Sequence, residues 1–297
     1  MCFSMSRRRI KHRFSRHISG APRLWIWCVI AALTSIRASA TPTEPSIAST
    51  AATPARVVTL TPHATELVFA AGAGGQIVGT VASSDFPLAA KSIARVGDGL
   101  NTSVEQVLAL RPDWVIGWPS PLMSQLQSLG IETLQSEPGS LAAIGQQVLD
   151  LGAKLGTLPA ALAWHLQFEQ RLSELDALRP AQSDEPVNVV VLASSDGQFV
   201  LGRHALMNET LEHCGATNPF AQTQAPAPQI SRESLIAAKP DVIISGRPLD
   251  DPQSMKLTAP LRVIDADSLY RPGPRFIDAA FEICQLVQQT RHKQLKR

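Results

Sequence analysis

The sequence lacks the short motifs that mark common catalytic and metal sites. It has no G-x-S-x-G nucleophile turn, no Walker A phosphate loop, no H-E-x-x-H helix and no C-x-x-C pair. The histidines beyond residue 40 show no spacing that is typical of metal ligands. The glycine-rich run Gly72–Gly75 resembles a dinucleotide loop, but it follows a helical pattern instead of opening one, so we interpret it as a helix C-terminus. These absences argue against an enzyme and favour a binding protein without a metal site of its own.

The first forty residues have the composition of a secretory signal. Basic residues come first, the apolar run Leu24–Leu33 follows, and Ala38–Ala40 has the small side chains of a cleavage site. An apolar run of this length is too short to span a bilayer. We therefore expect export to the periplasm, cleavage after Ala40 and a soluble mature protein. Ser6–Lys11 also resembles a twin-arginine signal, so the choice between the Sec and twin-arginine routes stays open.

Removal of this signal changes the charge of the chain. The whole chain has 27 Lys and Arg against 25 Asp and Glu, and the first forty residues contain eight of the basic residues and none of the acidic ones. The mature chain therefore has 19 basic and 25 acidic residues. A net-acidic protein without a basic run is a poor nucleic-acid binder, so no nucleic-acid partner is expected.

Cysteine is scarce in the mature chain. Of four cysteines, Cys2 and Cys28 leave with the signal, and only Cys214 and Cys284 remain. An oxidising compartment favours a disulfide between these two, and the alternative is two separate buried thiols. A bridge that closes a loop of about 70 residues would contribute about 4 kcal/mol in the chain-entropy model.

Strand and helix patterns alternate after a lead-in that is rich in Pro, Ser, Thr and Ala. Arg56–Leu60 is a short β-branched strand, and Thr61-Pro62 then provides an N-cap and a proline at the first helical position. The helix continues over Ala64–Ala71, and Ile77–Val81 is the next strand. This alternation predicts an α/β protein with parallel sheets.

One pattern occurs twice and predicts two lobes built on the same plan. Ser103–Gly117 and Ser231–Ser245 each have an N-cap serine, a glutamate two residues later, a proline seven residues further and then an aspartate. Each copy predicts a helix, a proline break and a buried strand. Between the copies, Leu158–Arg179 predicts a long helix with an apolar spacing at positions 162, 166, 172 and 175.

The predicted organisation follows from these patterns. It comprises a signal at 1–40, a disordered lead-in at 41–55, an N-terminal lobe at 56–156, a connecting helix at 157–181 and a C-terminal lobe at 182–297. A single stiff connection permits only small hinge movements. An exported two-lobed chain without a catalytic cluster suggests ligand binding in the cleft between the lobes.

From Arg56 to Gln285 the chain resembles the periplasmic cobalamin-binding proteins that feed ABC importers. More broadly, it is similar to the helical-backbone metal-complex receptors, which also bind haem and siderophores. The matching segments are Arg56–Pro62, Thr65–Leu67, Asp85–Pro87, Val104–Trp118, Leu211–Gly215, Pro228–Glu233 and Pro274-Arg275. The resemblance implies a class III periplasmic binding protein, with two Rossmann-like lobes joined by one long backbone helix. It also implies a monomer that captures cobalamin or a related corrinoid and delivers it to the membrane permease dimer of an ABC importer, with no further cofactor.

The resemblance carries individual residues. Trp118 and Phe199 match aromatic side chains of the family's pocket, and Asp267 and Arg271 match polar pocket residues that can meet amides and the phosphate of the nucleotide loop. The alternatives are core or rim aromatics and solvated loop charges. The two remaining cysteines match the family's disulfide.

The pocket also departs from the family. Ser83, Gly99 and Ala227 stand where the family has pocket aromatics, so the cleft would bury less apolar surface and the ligand could be another corrinoid or another flat metal complex. Tyr270 is expected to return some of that surface. His63, in the loop between the first strand and helix, is a candidate axial ligand for cobalt or iron, or else an ordinary polar residue at a helix start.

Glu105 and Glu233 occupy the same place in the two copies of the repeat. In the family, one carboxylate of each lobe docks to arginines on the two copies of the permease subunit, and these residues are the expected docking pair. Acidic residues in a first helical turn also favour the helix dipole, and both roles can hold together.

Other functions predict other features. A haem-binding protein would have His63 or Tyr270 facing the cleft, and a siderophore receptor would need more cleft arginines than Arg271 and Arg203. An exported α/β hydrolase or sugar-processing enzyme would need paired cleft carboxylates or a serine on a sharp strand-helix turn, and the sequence indicates neither.

Overall fold

Short β-branched segments form two parallel sheets in the computed structural model, which describes residues 54–99, 101–180, 185–251, 257 and 259–296. All of them belong to one compact unit. The predicted signal, its cleavage site, Cys2 and Cys28 and nearly all of the lead-in lie outside the described residues. Along the described chain, no helix has the length and apolar character needed to cross a membrane.

The N-terminal lobe is built on the first sheet. Its strands are β1 (Val57–Thr59), β2 (Ile77–Thr80), β3 (Trp114–Gly117) and β4 (Glu132–Gln135), in the order β2-β1-β3-β4. The helices of this lobe are α1 (Pro62–Ala70), α2 (Val104–Ala109), α3 (Pro121–Ser128) and α4 (Leu141–Lys154). The N-cap predicted for α1 is confirmed, because the Thr61 hydroxyl accepts a hydrogen bond from the Ala64 amide at 3.4 Å.

The C-terminal lobe repeats this plan. Its strands are β5 (Val187–Val191), β6 (Ala216–Thr217), β7 (Val242–Ser245) and β8 (Leu261–Val263), in the order β6-β5-β7-β8. Its helices are α6 (Ala205–His213), α7 (Arg232–Ala237), α8 (Ala266–Tyr270) and α9 (Phe276–Gln294). In both sheets the first strand of the lobe lies in the middle and every pairing is parallel, so the prediction of two equivalent α/β lobes is confirmed.

The repeated proline-aspartate unit has the same structure in both lobes. Arg111 and Lys239, which precede the two prolines, leave the helix with positive φ angles of 46° and 45°. Each following aspartate then accepts a hydrogen bond from a backbone amide at the first strand of its lobe. The distances are 2.7 Å from the Arg56 amide to Asp113 and 2.8 Å from the Asn188 amide to Asp241. The aspartate therefore fixes the strand of the unit, β3 or β7, beside the first strand of its lobe, β1 or β5.

A long helix, α5 (Leu158–Asp176), connects the lobes. It starts where the sequence predicts and ends three residues before Arg179, and its 19 residues span about 28 Å. The predicted apolar face is wrong in its first half, because Leu162 and Leu166 are 45% and 69% exposed.

The buried face of α5 consists of Ala161, Phe168 and Leu175, which are spaced by seven residues. Glycines of α4 select this face. A Cβ at Gly152 would lie 2.3 Å from the Ala161 Cβ, and one at Gly145 would lie 3.2 Å from the Phe168 ring. The missing side chains let the two helices approach closely on that side.

One apolar core continues through both lobes. Its members include Leu67 and Ile116 in the N-terminal lobe, Val189 and Ile244 in the C-terminal lobe, and Phe168 between them. Two smaller clusters cover the outer faces of the sheets. A shared core resists separation of the lobes, and the small amplitude of hinge movement stays a prediction.

The predicted disulfide is confirmed. Cys214, at the end of α6, is bonded to Cys284 in the middle of α9, and both residues are buried. The bond ties the C-terminal helix to the sheet of its own lobe, because α6 leads directly into β6.

Candidate functional site

The carboxyl ends of the strands of the two sheets meet between the lobes. In open α/β sheets, ligands bind in the crevice outside these strand ends. The loops after β2 and β3 reach this region from the N-terminal lobe, and the loops after β5, β7 and β8 reach it from the C-terminal lobe. We define the cleft as the space bounded by these loops.

Ion pairs join the two lobes at the cleft. Glu66 of α1 is only 2% exposed, and its carboxylate accepts hydrogen bonds from the Arg275 Nη2 at 2.7 Å and the Arg275 Nε at 3.0 Å. The Nη1 of Arg271 lies 3.3 Å from the Glu66 Oε1 and 2.8 Å from the Asp85 Oδ1, and its Nη2 lies 2.8 Å from the Asp267 Oδ1. These five side chains are called the interlobe ion cluster below.

The cluster is electrostatically stabilised in its charged form. The hydrogen bond from Arg271 holds the pKa of Asp85 below its ordinary value. The hydrogen bond to Glu66 raises the pKa of Arg275 above its already high value. The Phe86 ring lies 4.3 Å from the Arg275 guanidinium and adds a cation–π contact from the N-terminal lobe.

Sequence reasoning assigned no site role to Glu66, Asp85 or Arg275. The signal for Glu66 was a lone acidic residue among the buried positions of α1, where a buried charge requires a partner. That partner, Arg275, is 209 residues away, and its distance from Glu66 along the chain hides the pairing. Arg271 and Asp267, which were predicted as pocket residues, are both engaged in the same cluster.

His63 was placed in the strand-helix loop, and this placement is wrong. The residue is the second of α1, is 1% exposed, and its Nε2 lies 3.0 Å from the carbonyl oxygen and 3.1 Å from the hydroxyl of Ser136. Burial lowers the pKa of His63 to about 4. A Cβ at Gly273 of the other lobe would come within 3.3 Å of the His63 Cβ, so His63 lies against that lobe through its backbone and Cβ, while its ring contacts Ser136 and Trp118 of its own lobe.

The two predicted aromatic residues are exposed, one in each lobe. Trp118 directly follows β3 and is 48% exposed, with its ring centroid 5.2 Å from that of His63. Phe199 is 37% exposed and lies in the hairpin that follows β5, where its amide donates to the Ser194 hydroxyl at 3.2 Å. Large exposed aromatic rings at strand ends are candidate ligand contacts, and their role in binding stays a prediction.

Tyr270 links the ends of β5 and β7 through hydrogen bonds of its hydroxyl group. Its hydroxyl donates to the Leu192 carbonyl at 2.6 Å and accepts from the Gly246 amide at 2.8 Å. Burial raises the pKa of this phenol. A Cβ at position 246 would overlap the Tyr270 ring, so only glycine fits against it. The ring still lines a cavity of about 300 Å³ in the C-terminal wall of the cleft.

Three positions lack the aromatic side chains of the resembled family. Ser83 and Ala227 are exposed, and a Cβ at Gly99 would make ordinary van der Waals contacts with Leu60 and Val81, each at 3.9 Å. Gly99 has a φ of +99°, which other residues adopt only with strain. The backbone at this point therefore disfavours an aromatic residue independently of the ligand.

The two carboxylates of the repeat are both exposed. Glu105 and Glu233 lie in the first turns of α2 and α7, whose N-cap serines each accept a backbone hydrogen bond at 3.1 Å. Hydrogen bonds from its own backbone amide and from Ser231 lower the pKa of Glu233. Their exposure leaves both side chains accessible to a partner, and docking stays a prediction.

Comparisons with known proteins point to binding proteins. The family model described as "Periplasmic binding protein" matches residues 57–262. The chain is 30% identical over 251 residues to a vitamin B12-binding protein of Pectobacterium atrosepticum, which covers 80% of this chain and 90% of that protein. A periplasmic vitamin B12 binding protein of Vibrio cholerae has a similar structure, with a TM-score of 0.73, 28% identity, and coverage of 80% of this chain and 98% of that one.

A haem-binding protein is also similar. The structure of a periplasmic haem-binding protein from Pseudomonas aeruginosa gives a TM-score of 0.64 at 29% identity, and the match covers 79% of this chain and 93% of that one. The two ligand classes share one fold, so the ligand must be argued from the cleft itself.

Proposed function

The chain belongs to the periplasmic binding protein family, and from that premise we propose that it captures cobalamin or a related corrinoid in the cleft and delivers it to an ABC importer. The observation that carries the proposal is the pair of exposed rings, Trp118 after β3 and Phe199 after β5, one from each lobe. A flat, largely apolar macrocycle between the lobes would cover both rings. The relatives that are named vitamin B12-binding proteins support this choice of ligand.

The polar rim of a corrin suits the rest of the cleft. Its amide side chains both donate and accept hydrogen bonds, and Asp267, Arg271 and Ser83 offer acceptors and donors at the cleft. Because no aromatic side chain is present at positions 83, 99 and 227, the aromatic wall is smaller than the family resemblance implies. We expect the pocket to tolerate variation in the corrinoid at these points.

Preorganisation supports reversible capture. The interlobe ion cluster and the continuous core hold the lobes in register before any ligand is bound. Binding would then not spend free energy on a large domain closure, and release would not require one. This suits a carrier that must give up its ligand to a membrane partner.

The haem alternative is less consistent with the site. A haem receptor usually supplies an axial ligand from a side chain. Here His63 has its Nε2 beside Ser136, and the Tyr270 hydroxyl is engaged on both sides by backbone groups. Cobalamin carries its own axial ligands on cobalt, so it needs neither side chain.

We infer delivery to the permease dimer of an importer from the exposed carboxylates Glu105 and Glu233. Arginines on a two-fold partner would each bind one carboxylate through charge-assisted hydrogen bonds. Replacement of both by Ala should leave ligand affinity unchanged and lower importer-stimulated ATP hydrolysis, with a larger effect than either single change. Full transport activity in the double variant would contradict docking through these residues.

Export to the periplasm, removal of residues 1–40 and the lack of a catalytic role complete the proposed function. The test is calorimetry of the exported protein with cyanocobalamin and, separately, with haemin. We expect saturable one-to-one binding of the corrinoid. Binding of haemin with a Soret shift, and no heat with any corrinoid, would replace the proposal with the haem alternative.

A further inference from the structure

The cavity in the C-terminal wall of the cleft has a composition of its own. It encloses about 300 Å³ and is lined by serines at the ends of β5 and β7, by Asp267 and Tyr270, and by two arginines, Arg247 and Arg271. Its location beside the interlobe ion cluster places it at the edge of the proposed corrinoid site. A polar cavity at this position would receive a polar appendage of the ligand and not its ring.

The serine hydroxyls of the cavity already donate their hydrogens internally. The Ser194 hydroxyl donates to the Asp196 carboxylate at 2.5 Å, and the Ser195 hydroxyl donates to the Asp250 carboxylate at 2.9 Å. The Ser245 hydroxyl donates to the Arg247 carbonyl at 2.6 Å. These hydroxyls therefore offer a ligand lone pairs and no hydrogens.

The two arginines differ in their charge balance. Arg271 has three carboxylates within 3.3 Å, so its charge is compensated within the protein. Arg247 is exposed and forms no ion pair with any residue in the ranges that the structure describes. Its guanidinium is the hydrogen-bond donor with uncompensated charge on this wall of the cavity.

The backbone that carries Arg247 is fixed from two sides. The Arg247 amide donates to the Ser245 hydroxyl at 3.3 Å, which closes a small ring together with the bond to the Arg247 carbonyl. The preceding residue, Gly246, donates its amide to Tyr270 at 2.8 Å. The chain thus presents the guanidinium from a constrained turn, which lowers the entropy cost of binding an anion.

We propose that Arg247 binds an anionic group of the ligand, and that in a corrinoid this group is the phosphodiester of the nucleotide loop. A guanidinium matches two phosphate oxygens through paired hydrogen bonds. The inference rests on the proposed function. It predicts selection for complete cobalamin over cobinamide, which has the same corrin ring but no phosphate or nucleotide.

The test compares cyanocobalamin with dicyanocobinamide by calorimetry on the exported protein. The native protein should bind cobalamin about tenfold more tightly than cobinamide. Arg247→Gln should lose about tenfold in affinity for cobalamin and none for cobinamide. Arg247→Lys should lie between the native protein and Arg247→Gln, because it keeps the charge but not the paired geometry. Arg262→Gln, an exposed change of the same type in β8, is the matched control and should alter neither affinity.

The other outcomes separate failure of this inference from failure of the proposed function. Equal binding of both corrinoids by the native protein, or an equal loss for both in Arg247→Gln, would overturn the inference and leave the proposed function in place. No change in either affinity for Arg247→Gln would do the same. Failure of the native protein to bind either corrinoid would overturn both the proposed function and the inference that rests on it.

Discussion

The two lobes agree at one end of their sheets and differ at the other. At the amino ends of the strands, Asp113 and Asp241 make the same hydrogen bond to the first strand of their lobe. At the carboxyl ends, β3 is followed by Trp118, whereas β7 is followed by Gly246, which leaves room for Tyr270. The repeat thus preserves the scaffold, and the proposed ligand contacts lie where the copies have diverged.

The largest effect on stability should come from the interlobe ion cluster, where the carboxyl ends of the two sheets meet. Glu66→Gln removes the buried charge that two partly buried arginine side chains share, and we expect it to lower the free energy of unfolding by about 4 kcal/mol. Urea denaturation measures this loss. Glu105→Gln, at an exposed acid, is the control and should change the free energy of unfolding by less than about 0.5 kcal/mol. Equal effects of the two changes would mean that the interlobe ion cluster does not hold the lobes together.

The next largest effect is the pH dependence of stability that the buried His63 should cause. Burial lowers its pKa to about 4, below the value of about 6.5 expected in the unfolded chain. Between these values the unfolded state binds more protons, so stability should fall as the pH is lowered through that window, by up to about 3 kcal/mol for this residue. His63→Gln should flatten the stability profile between about pH 6.5 and 4. A profile of unchanged slope would show that the imidazole is not held neutral by burial.

A structural feature could be predicted from the sequence when the residues that determine it are close together along the chain. The N-cap at Thr61, the proline-aspartate repeat and the start of α5 follow from local signals and were predicted. The buried face of α5 was not predicted in the first half of the helix, because glycines of another helix, α4, select it. The burial of His63 depends likewise on contacts outside its own segment.

The ion cluster shows the same limit at the site. The residues predicted for the pocket, Asp267 and Arg271, do lie at the carboxyl end of the C-terminal sheet and pair with each other, but the other partners of Arg271, Glu66 and Asp85, come from the N-terminal lobe. A family resemblance gives positions one at a time, and it does not say which of them pair across the lobes. Those pairings required the fold.

A moderate effect on ligand affinity is expected at Trp118, where the carboxyl ends of the two sheets differ. Trp118→Ala removes an exposed ring that the proposed ligand would cover, and cobalamin affinity should weaken by about 2 kcal/mol. Calorimetry measures this loss of affinity. Trp114→Ala is not a suitable control, because Trp114 packs against the core and its loss would affect stability. Leu166→Ala on the exposed face of α5 serves instead and should leave the affinity unchanged. Unaltered binding in the Trp118 variant would place the site elsewhere.

The smallest effect tests the part that the lobes share. Asp113→Asn and Asp241→Asn each weaken one charge-assisted bond to a strand amide, and each should cost about 1 kcal/mol of unfolding free energy. The two losses should agree within about 0.5 kcal/mol because the contacts are the same. A large loss in one lobe alone would show that the repeat is conserved in pattern and not in energetic role.

The central claim is that the cleft holds a corrinoid. The most direct measurement is the absorption spectrum of protein purified without refolding from its native periplasm. We expect the visible absorption bands of a bound corrin. The corrin should leave the protein on denaturation, and added cobalamin should restore the bands. A Soret band in the purified protein, with no corrin bands before or after addition of cobalamin, would contradict it.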